Sequence, residues 1–527
     1  MMTLAANLAG PDWIVLGAYF ALLAVTGWWF ARRRAGDAKG YFVGDGAMPA
    51  WAVGISILAT SQSAATFIGV PQESFRGDLT YLMMSVGALL AAGVIARWFI
   101  PAYYRRGVWT AYELLEARFG SGARLATSVT YLVGRVFATG SRVFIGSLPA
   151  SMILFGDTDA GHVVLAVGVM TFLGIVYTLA GGIRSVIWTD VIQTAVYLGT
   201  AVLAAVVLWR AIGQPWGDVQ AALASPPGGG ASKLRLIDLG LRADAGMPVI
   251  DWTRVYTLIT AATGLMLLNL AAFGTDQDFV QRTLACKDAG RGGRSVLVGT
   301  LANLPATGLF LVIGLLLWVY YHGPGSAGHA PPGEKSVFLG FIMREMPVGL
   351  KGLMLAGLLA AGLSTVNSTL NSMASSFVAD VYGRGGFEHR RTASAGRWSV
   401  AGAGVLVGGF AAMCVAWYDP AHDTLVTFAL SVMTFAYAGL LGVFLTALFT
   451  TRGSGASAVA ALGAGFASIA LTQPGVLAWM GMELKLAFPW QLVIGAGVAF
   501  AVCACVPGRH VTRHEARHEA RGKGKGA

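Results

Sequence analysis

The chain has 527 residues, of which 55% are hydrophobic and only 12% charged, and its mean hydropathy is +0.64. That composition excludes a water-soluble globular domain and predicts an all-α integral membrane protein. The formal net charge of +11 reads as a topology signal and not as a nucleic-acid footprint, because the cations sort into alternate loops.

In chain order, the opening MMTLAANLAGPDW has no basic n-region, and a long apolar span follows it before Arg32, Arg33 and Arg34. An uncleaved first helix with a stop-transfer flank is expected. Windows of roughly 20 apolar residues give about thirteen spans: 12–31, 48–71, 79–103, 125–155, 162–181, 186–211, 252–275, 295–321, 349–381, 398–418, 424–449, 456–481 and 487–507. The fourth and ninth are long enough to tilt or to extend past the bilayer. One set of loops holds Arg32 to Lys39, Arg105 to Arg124, Arg184, Lys287 to Arg294, Arg384 to Arg397, Arg452 and the tail from Arg509. This cation-rich set is expected in the cytoplasm, so the N-terminus is expected outside an inner (plasma) membrane. Opposite loops carry Asp78, Asp157, Asp159, Asp419, Asp423 and Glu483, and include the two longest connections, near 212–251 and 322–348. The amphipathic piece from Ser336 to Pro347 is a candidate external helix over an entrance. Cys286, Cys414, Cys503 and Cys505 are scattered and form no disulfide framework. The basic tail reads as a solvated segment near anionic lipid; His510, His514 and His518 share helical spacing there, without a carboxylate or cysteine to complete a metal site.

The informative stretch of the second span is WAVGISILATSQSAATFIGVP, Trp51 to Pro71. Its ends are those of a membrane helix, but its centre, Ala59 to Thr66, is small and hydroxyl-rich. Unwound backbone is tolerated at membrane depth only where protein buries it or it lines a wet cavity, so such an interruption points to a transporter's binding site. A Ser/Thr-rich continuous helix whose hydroxyls bond back to the preceding turn is the other reading, and the stretch alone leaves both open. A second polar stretch, Ala360 to Arg384, crowds Ser364, Thr365, Ser368, Ser372 and Ser376 with Asn367 and Asn371 onto one helix. Sodium is a hard cation that prefers oxygen. The hydroxyls of Ser364 and Thr365 with a carbonyl near Ala361 can supply one side of its shell, and the carbonyls of Ala59 and Gln62 the other.

Four segments, SQSAATFIGVP, GGIRSVIWTDVIQ (Gly181–Gln193), TDQDFVQRTLACKD (Thr275–Asp288) and Ala360–Tyr382, occur in the order and spacing of a known family. On them the chain resembles the sodium:solute symporters, which include sodium-coupled sugar, proline, pantothenate and sialic acid carriers. The resemblance implies a five-plus-five inverted repeat over 48–211 and 252–449, separated by an external loop at 212–251. One extra helix and a basic loop (1–47) would precede the core, two helices (450–507) would follow, and a basic tail (508–527) would end the chain. It implies a sodium site at Ala59, Gln62, Ala361, Ser364 and Thr365, and a link of Asp190 to the ion pathway, against which stands a capping role at the start of the sixth span. No cofactor is implied beyond the coupling ion. Solute contacts are implied at Ser61 and Asn269, with Ser63 and Thr66 of the same interruption as further candidates. The sugar-carrying branch expects a glutamine where Thr66 stands and a lysine where Asn303 stands, so its hexose pocket is not reproduced.

Arg135 and Arg142 of the fourth span lie seven residues apart, about 10.5 Å along one helix face. An arginine at membrane depth costs roughly 2.5 to 3.5 kcal/mol on insertion scales and so faces a cavity or a partner. A carboxylate-bearing solute is one such partner, since guanidinium binds carboxylate bidentately. Snorkelling or pairing with Asp190 by Arg135, and bundle support by Arg142, is the other reading. Gln277, Gln281 and Arg282 read as a helix-to-loop motif, and Trp188, Phe273, Phe428 and Tyr437 as gating or packing aromatics. No phosphate loop supports an ATP-driven pump, and no compact catalytic set supports an intramembrane enzyme. A sodium-coupled symporter of a small polar solute, with a carboxylate-bearing one as a candidate, leads; a sodium-coupled sugar or polyol symporter is the alternative, and a channel or sensor scaffold is the remaining class.

Overall fold

In the computed structural model the described residues are 8–31, 46, 48–180, 183–227, 229–244, 247–323, 326, 337–382, 389–419 and 424–507. The tail histidines His510, His514 and His518, the basic loop 32–39, Arg509 and Arg384 lie outside them. Nineteen helices are numbered here: α1 (Gly10–Ala31), α2 (Ala50–Ser61), α3 (Ala64–Arg76), α4 (Thr80–Arg106), α5 (Glu113–Phe119), α6 (Ser121–Phe155), α7 (Ala160–Ala180), α8 (Ile183–Ile212), α9 (Trp216–Ala224), α10 (Leu258–Thr275), α11 (Gln277–Leu284), α12 (Ala289–His322), α13 (Val337–Glu345), α14 (Leu350–Tyr382), α15 (His389–Trp417), α16 (Leu425–Phe449), α17 (Gly455–Leu471), α18 (Pro474–Trp479) and α19 (Phe488–Ala504). Nine are long and apolar enough to cross a membrane, the α2–α3 pair makes a tenth span, and three shorter apolar helices, Gly10–Thr26, α17 and α19, bring the described residues to the thirteen expected.

Boundaries moved where local chemistry intervened. The twelfth span stops at Leu471, and Pro474 begins the separate short helix α18. The loop at 212–251 contains α9 and a two-stranded antiparallel hairpin, β1 (Leu241–Asp244) with β2 (Met247–Ile250). The helix expected at Ser336–Pro347 is α13.

Lipid tails offer no hydrophobic drive for one helix to leave them for another, so small residues and polar pairs hold the bundle together. Gly146 of α6 and Gly362 of α14 let these helices meet beside the start of α3: a Cβ built on Gly146 would sit 3.4 Å from the Ala64 Cβ and 3.7 Å from the Gly362 Cα. At Gly314 of α12 a Cβ would fall 2.1 Å from the Pro71 carbonyl, so any side chain there would push α12 off α3. Helix α14 is buried almost throughout, and its hydroxyls act as polar glue: Tyr131 donates to Ser372 (2.9 Å), Ser128 and Ser376 share a bond (2.8 Å), and Thr139 and Thr369 another (3.0 Å). This packing fixes α14 against α6 and leaves Ser364 facing the α2–α3 break.

Candidate functional site

Helices α2 and α3 are bent by 64° about Gln62 and Ser63, both in extended conformations. Both readings of the stretch hold in part. Thr60 and Ser61 bond back to the Ser56 and Leu58 carbonyls at 2.8 Å each, yet the helix still breaks one residue later. The Gln62 N–H closes the last turn on Leu58 (2.9 Å), while the Ser63 N–H, which an unbroken helix would give to Ala59, turns to the Thr66 hydroxyl (3.4 Å). The Ala59 carbonyl is thereby left for another partner, at the negative end of α2.

Two cavities flank the break. The smaller, about 10 Å³, is lined by Ala59, Gln62, Ala361 and Ser364 together with Gln193, Thr194 and Tyr197. That is room for about one water-sized occupant. Four of the five residues read as a sodium site therefore meet in one place. Thr365 is not on that wall, and its hydroxyl donates to the Ala361 carbonyl (3.0 Å) of its own helix. Asp190 is not a helix cap: it is 1% exposed and accepts from Ser364 (2.7 Å), from Ser56 (2.5 Å) and from Arg282 (3.3 Å). Because Ser364 spends its proton on Asp190, its oxygen lone pairs are free to face the cavity.

The larger cavity, about 80 Å³, takes in Ser61, Ser63, Thr66, Arg142, Asn269, Asn303 and Phe273. Asn269 donates to the Leu265 carbonyl (2.8 Å). The Arg142 guanidinium has a hydrogen bond to the Met433 thioether (3.4 Å) and no carboxylate at ion-pair distance among the described residues.

Arg135 corrects the expectation that both arginines face a solute. It is 1% exposed, off the cavity, paired with Asp276 (3.1 Å) and Asp278, and donates to Thr369 (3.0 Å); its carboxylate partners are not Asp190. Arg282 bridges Asp278 and Asp190 and is buried in the same network, not a helix-to-loop connector. The connector is Gln277, which accepts from the Ala111 N–H (2.9 Å) and donates to the Trp109 carbonyl (3.0 Å). Of the aromatics, Phe273 lines the larger cavity and Tyr437 donates to Asp276 (2.6 Å). Trp188 and Phe428 pack against Trp51 and Tyr418.

Sequence reasoning missed several wall residues. Gln193 lay in a quoted motif and gave no hint of its role. Ser85, on the larger cavity with a buried hydroxyl that finds no partner among the described residues, is one serine in an apolar run and carried no signal.

An apolar span broken near its middle, neutral oxygens gathered at the break and a second cavity beside it define a multi-pass transporter of the discontinuous-helix class. The chain belongs to the sodium:solute symporter family, whose model matches residues 41–465. It is 29% identical over 455 residues to the sodium/sialic acid symporter SiaT of Proteus mirabilis, covering 85% of this chain and 86% of that one. It is 30% identical over 381 residues to the human sodium/iodide cotransporter, covering 69% and 55%. Among solved structures, a substrate-bound, outward-open Na⁺-coupled sialic acid symporter superposes with TM-score 0.79 at 25% identity, over 95% of this chain and all of that one. The nucleobase–cation symporter Mhp1 shares the fold, with TM-score 0.56 at 15% identity over 91% and 98%.

Proposed function

We propose that the protein couples sodium entry to uptake of a small organic anion, with a carboxylate seated on Arg142. The observation that carries this reading is the state of that guanidinium: it opens onto the larger cavity with a thioether as its hydrogen-bond partner. A thioether is a weak acceptor, so most of the guanidinium's donor capacity is left for a solute. Carboxylate matches the planar fork of donors. Ser61, Ser63, Thr66 and Asn269 are then available for the solute's remaining polar groups. Two relatives are named sodium/sialic acid symporters, and sialic acids are carboxylates, which agrees with this chemistry.

Sodium is held by the Ala59, Gln62 and Ala361 carbonyls and the Ser364 and Thr365 hydroxyls, with Thr365 acting once its hydroxyl swings from Ala361. The cage itself is neutral, which suits reversible binding. Charge favours it from one step away: Asp190, Asp276 and Asp278 face Arg135 and Arg282, three carboxylates against two guanidiniums. A cation beside Ser364 offsets that excess. We take 48–211 and 252–449 as the repeats that rock about these sites, with the N-terminus outside and the basic tail in the cytoplasm. Sodium binds from outside, solute follows, and low internal sodium draws the ion off.

The test is a thermal-shift panel of sialic acids, short monocarboxylates, sugars and amino acids on the purified protein, with sodium or choline. Stabilisation by a carboxylate that grows with sodium is expected. Stabilisation by neutral sugars alone, or by solutes equally in choline, overturns the reading.

A further inference from the structure

Gln62 is the residue that lines both cavities. Its side chain stands between two anchors. Tyr197, on the wall of the smaller cavity, donates its hydroxyl to Gln62 Oε1 (3.0 Å), and Gln62 Nε2 donates to Asn303 Oδ1 (2.5 Å). Ser61 reaches the same Asn303 oxygen at 3.4 Å. That oxygen is occupied, no acceptor is recorded for Asn303 Nδ2 among the described residues, and Asn303 stands on the wall of the larger cavity. All the bonds run one way, hydroxyl to amide to amide, so each polarises the next. The relay joins α8, the broken span and α12.

We propose that the Gln62 side chain is the positioning link through which sodium at Ala59 and Ser364 changes the solute cavity, acting on Asn303. This rests on the sodium reading above. The physical cause is that one residue has both ends in play. Gln62 sits past the last turn of α2 at φ −85°, ψ 124°, where its carbonyl can tilt without breaking a helical bond. An ion that draws this carbonyl inward turns the residue about its own backbone. The amide must follow, and Asn303 with it. Sodium thereby sets the direction of a hydrogen-bond donor that a carboxylate or other acceptor-rich solute meets, and linkage makes solute binding favour sodium in return.

The experiment needs no identified solute. In a Cys505→Ser background the remaining cysteines Cys286, Cys414 and Cys503 are buried and line neither cavity, whereas Ser85→Cys places a thiol on the wall of the larger cavity. Its rate of modification by a small charged methanethiosulfonate is read in saturating sodium and in choline, alongside the sodium-dependent thermal shift. Sodium is expected to change that rate by about fivefold, the lower end of ordinary coupling. Gln62→Leu should erase the rate change, and because Gln62 is also read as a sodium ligand through its carbonyl, retention of the sodium-dependent thermal shift is required of Tyr197→Phe, which leaves the cage untouched. Tyr197→Phe and Asn303→Leu should likewise erase the rate change, and Asn303→Asp, which keeps the acceptor for Gln62, should restore it. A packing role alone would not distinguish Asp from Leu at 303 in this sodium-dependent readout. If Gln62→Leu does not fold, Tyr197→Phe decides. An unchanged sodium effect in Gln62→Leu or Tyr197→Phe overturns the proposal, as does a sodium-stabilised parent whose Ser85→Cys rate ignores sodium. Absence of any sodium-dependent thermal shift in the parent instead overturns the sodium reading itself.

Discussion

The two helix breaks at the centre of the molecule share a backbone and differ in chemistry. Gln62 leaves α2 at φ −85°, ψ 124°, and Asp276 leaves α10 at φ −82°, ψ 125°. At the second break the protein fills the site with its own charges: Asp276 accepts from the Asp278 N–H (2.9 Å) and Tyr437 and pairs with Arg135, while Asp278 holds Arg135 and Arg282. At the first break no charged side chain among the described residues bonds the unwound residues; their partners are Asn303, Tyr197 and Thr66. An inverted repeat thus supplies the same opening twice. One copy is filled by ion pairs, and the other is left to neutral dipoles.

If that contrast is right, damage at the second break should cost folding and damage at the first should cost binding. The largest effect is expected from Asp278→Ala, which leaves two buried guanidiniums short of an acceptor. Breaking a buried pair on one side costs about 3–5 kcal/mol. The variant should lose most of its monodisperse fraction in detergent, and a melting curve like the parent's would break the comparison. Arg142→Ala comes next and should do the reverse. Its melting temperature should stay near the parent's, while uptake of the carboxylate solute into proteoliposomes falls about 30-fold or more, the equivalent of losing at least about 2 kcal/mol from a charge pair. Arg142→Lys should recover part of it, keeping charge without the fork.

The contrast also marks what could be read from the chain. The first break was legible because Ser61, Gln62, Ser63 and Thr66 interrupt an apolar window, and polar groups at membrane depth need a reason. Arg142 and Arg135 looked equivalent, seven residues apart on one face. What separates them is that Asp276 and Asp278, far along the chain, fold back onto Arg135 alone, and helical spacing carries no record of that. Asp190 was visible as an acidic group in a span, but its partners Ser56, Ser364 and Arg282 come from three other helices. Asn303 was visible only as the place of an expected lysine, with no hint of its bond to Gln62, and Ser85 is a single polar residue among apolar neighbours that only the cavity wall reveals.

A smaller effect sharpens the first break itself. Ser364 has its proton committed to Asp190 and its lone pairs free, whereas Thr365 gives its proton to Ala361. Ser364→Ala should therefore raise the sodium concentration for half-maximal thermal stabilisation by about tenfold, the loss of roughly 1.4 kcal/mol, and Thr365→Val by less. Equal effects, or a larger one at Thr365, would mean that the hydroxyls exchange roles when the ion arrives.

The smallest expected effect lies at the far end of the same half-helix. Lys233, between α9 and β1, is 7% exposed and donates to the Phe75 and Gly77 carbonyls at 2.9 Å each, with its ammonium 5.0 Å above the Trp318 ring. It caps the negative end of α3, an interaction worth about 0.3–1 kcal/mol at a helix terminus. Burial nevertheless pushes its pKa below the ordinary 10.5, with Asp78 pulling it partly back. Between that lowered value and 10.5 the unfolded chain holds more of the proton than the folded one, so this group makes stability rise with pH across the window. Lys233→Met should lower the melting temperature slightly near neutral pH and remove that rise. The difference between parent and variant, followed by thermal melts from neutral pH to just above 10.5, should therefore widen toward the alkaline end. A gap that narrows instead would mean that the ammonium charge, and not the pair of hydrogen bonds, is what holds the outer end of α3.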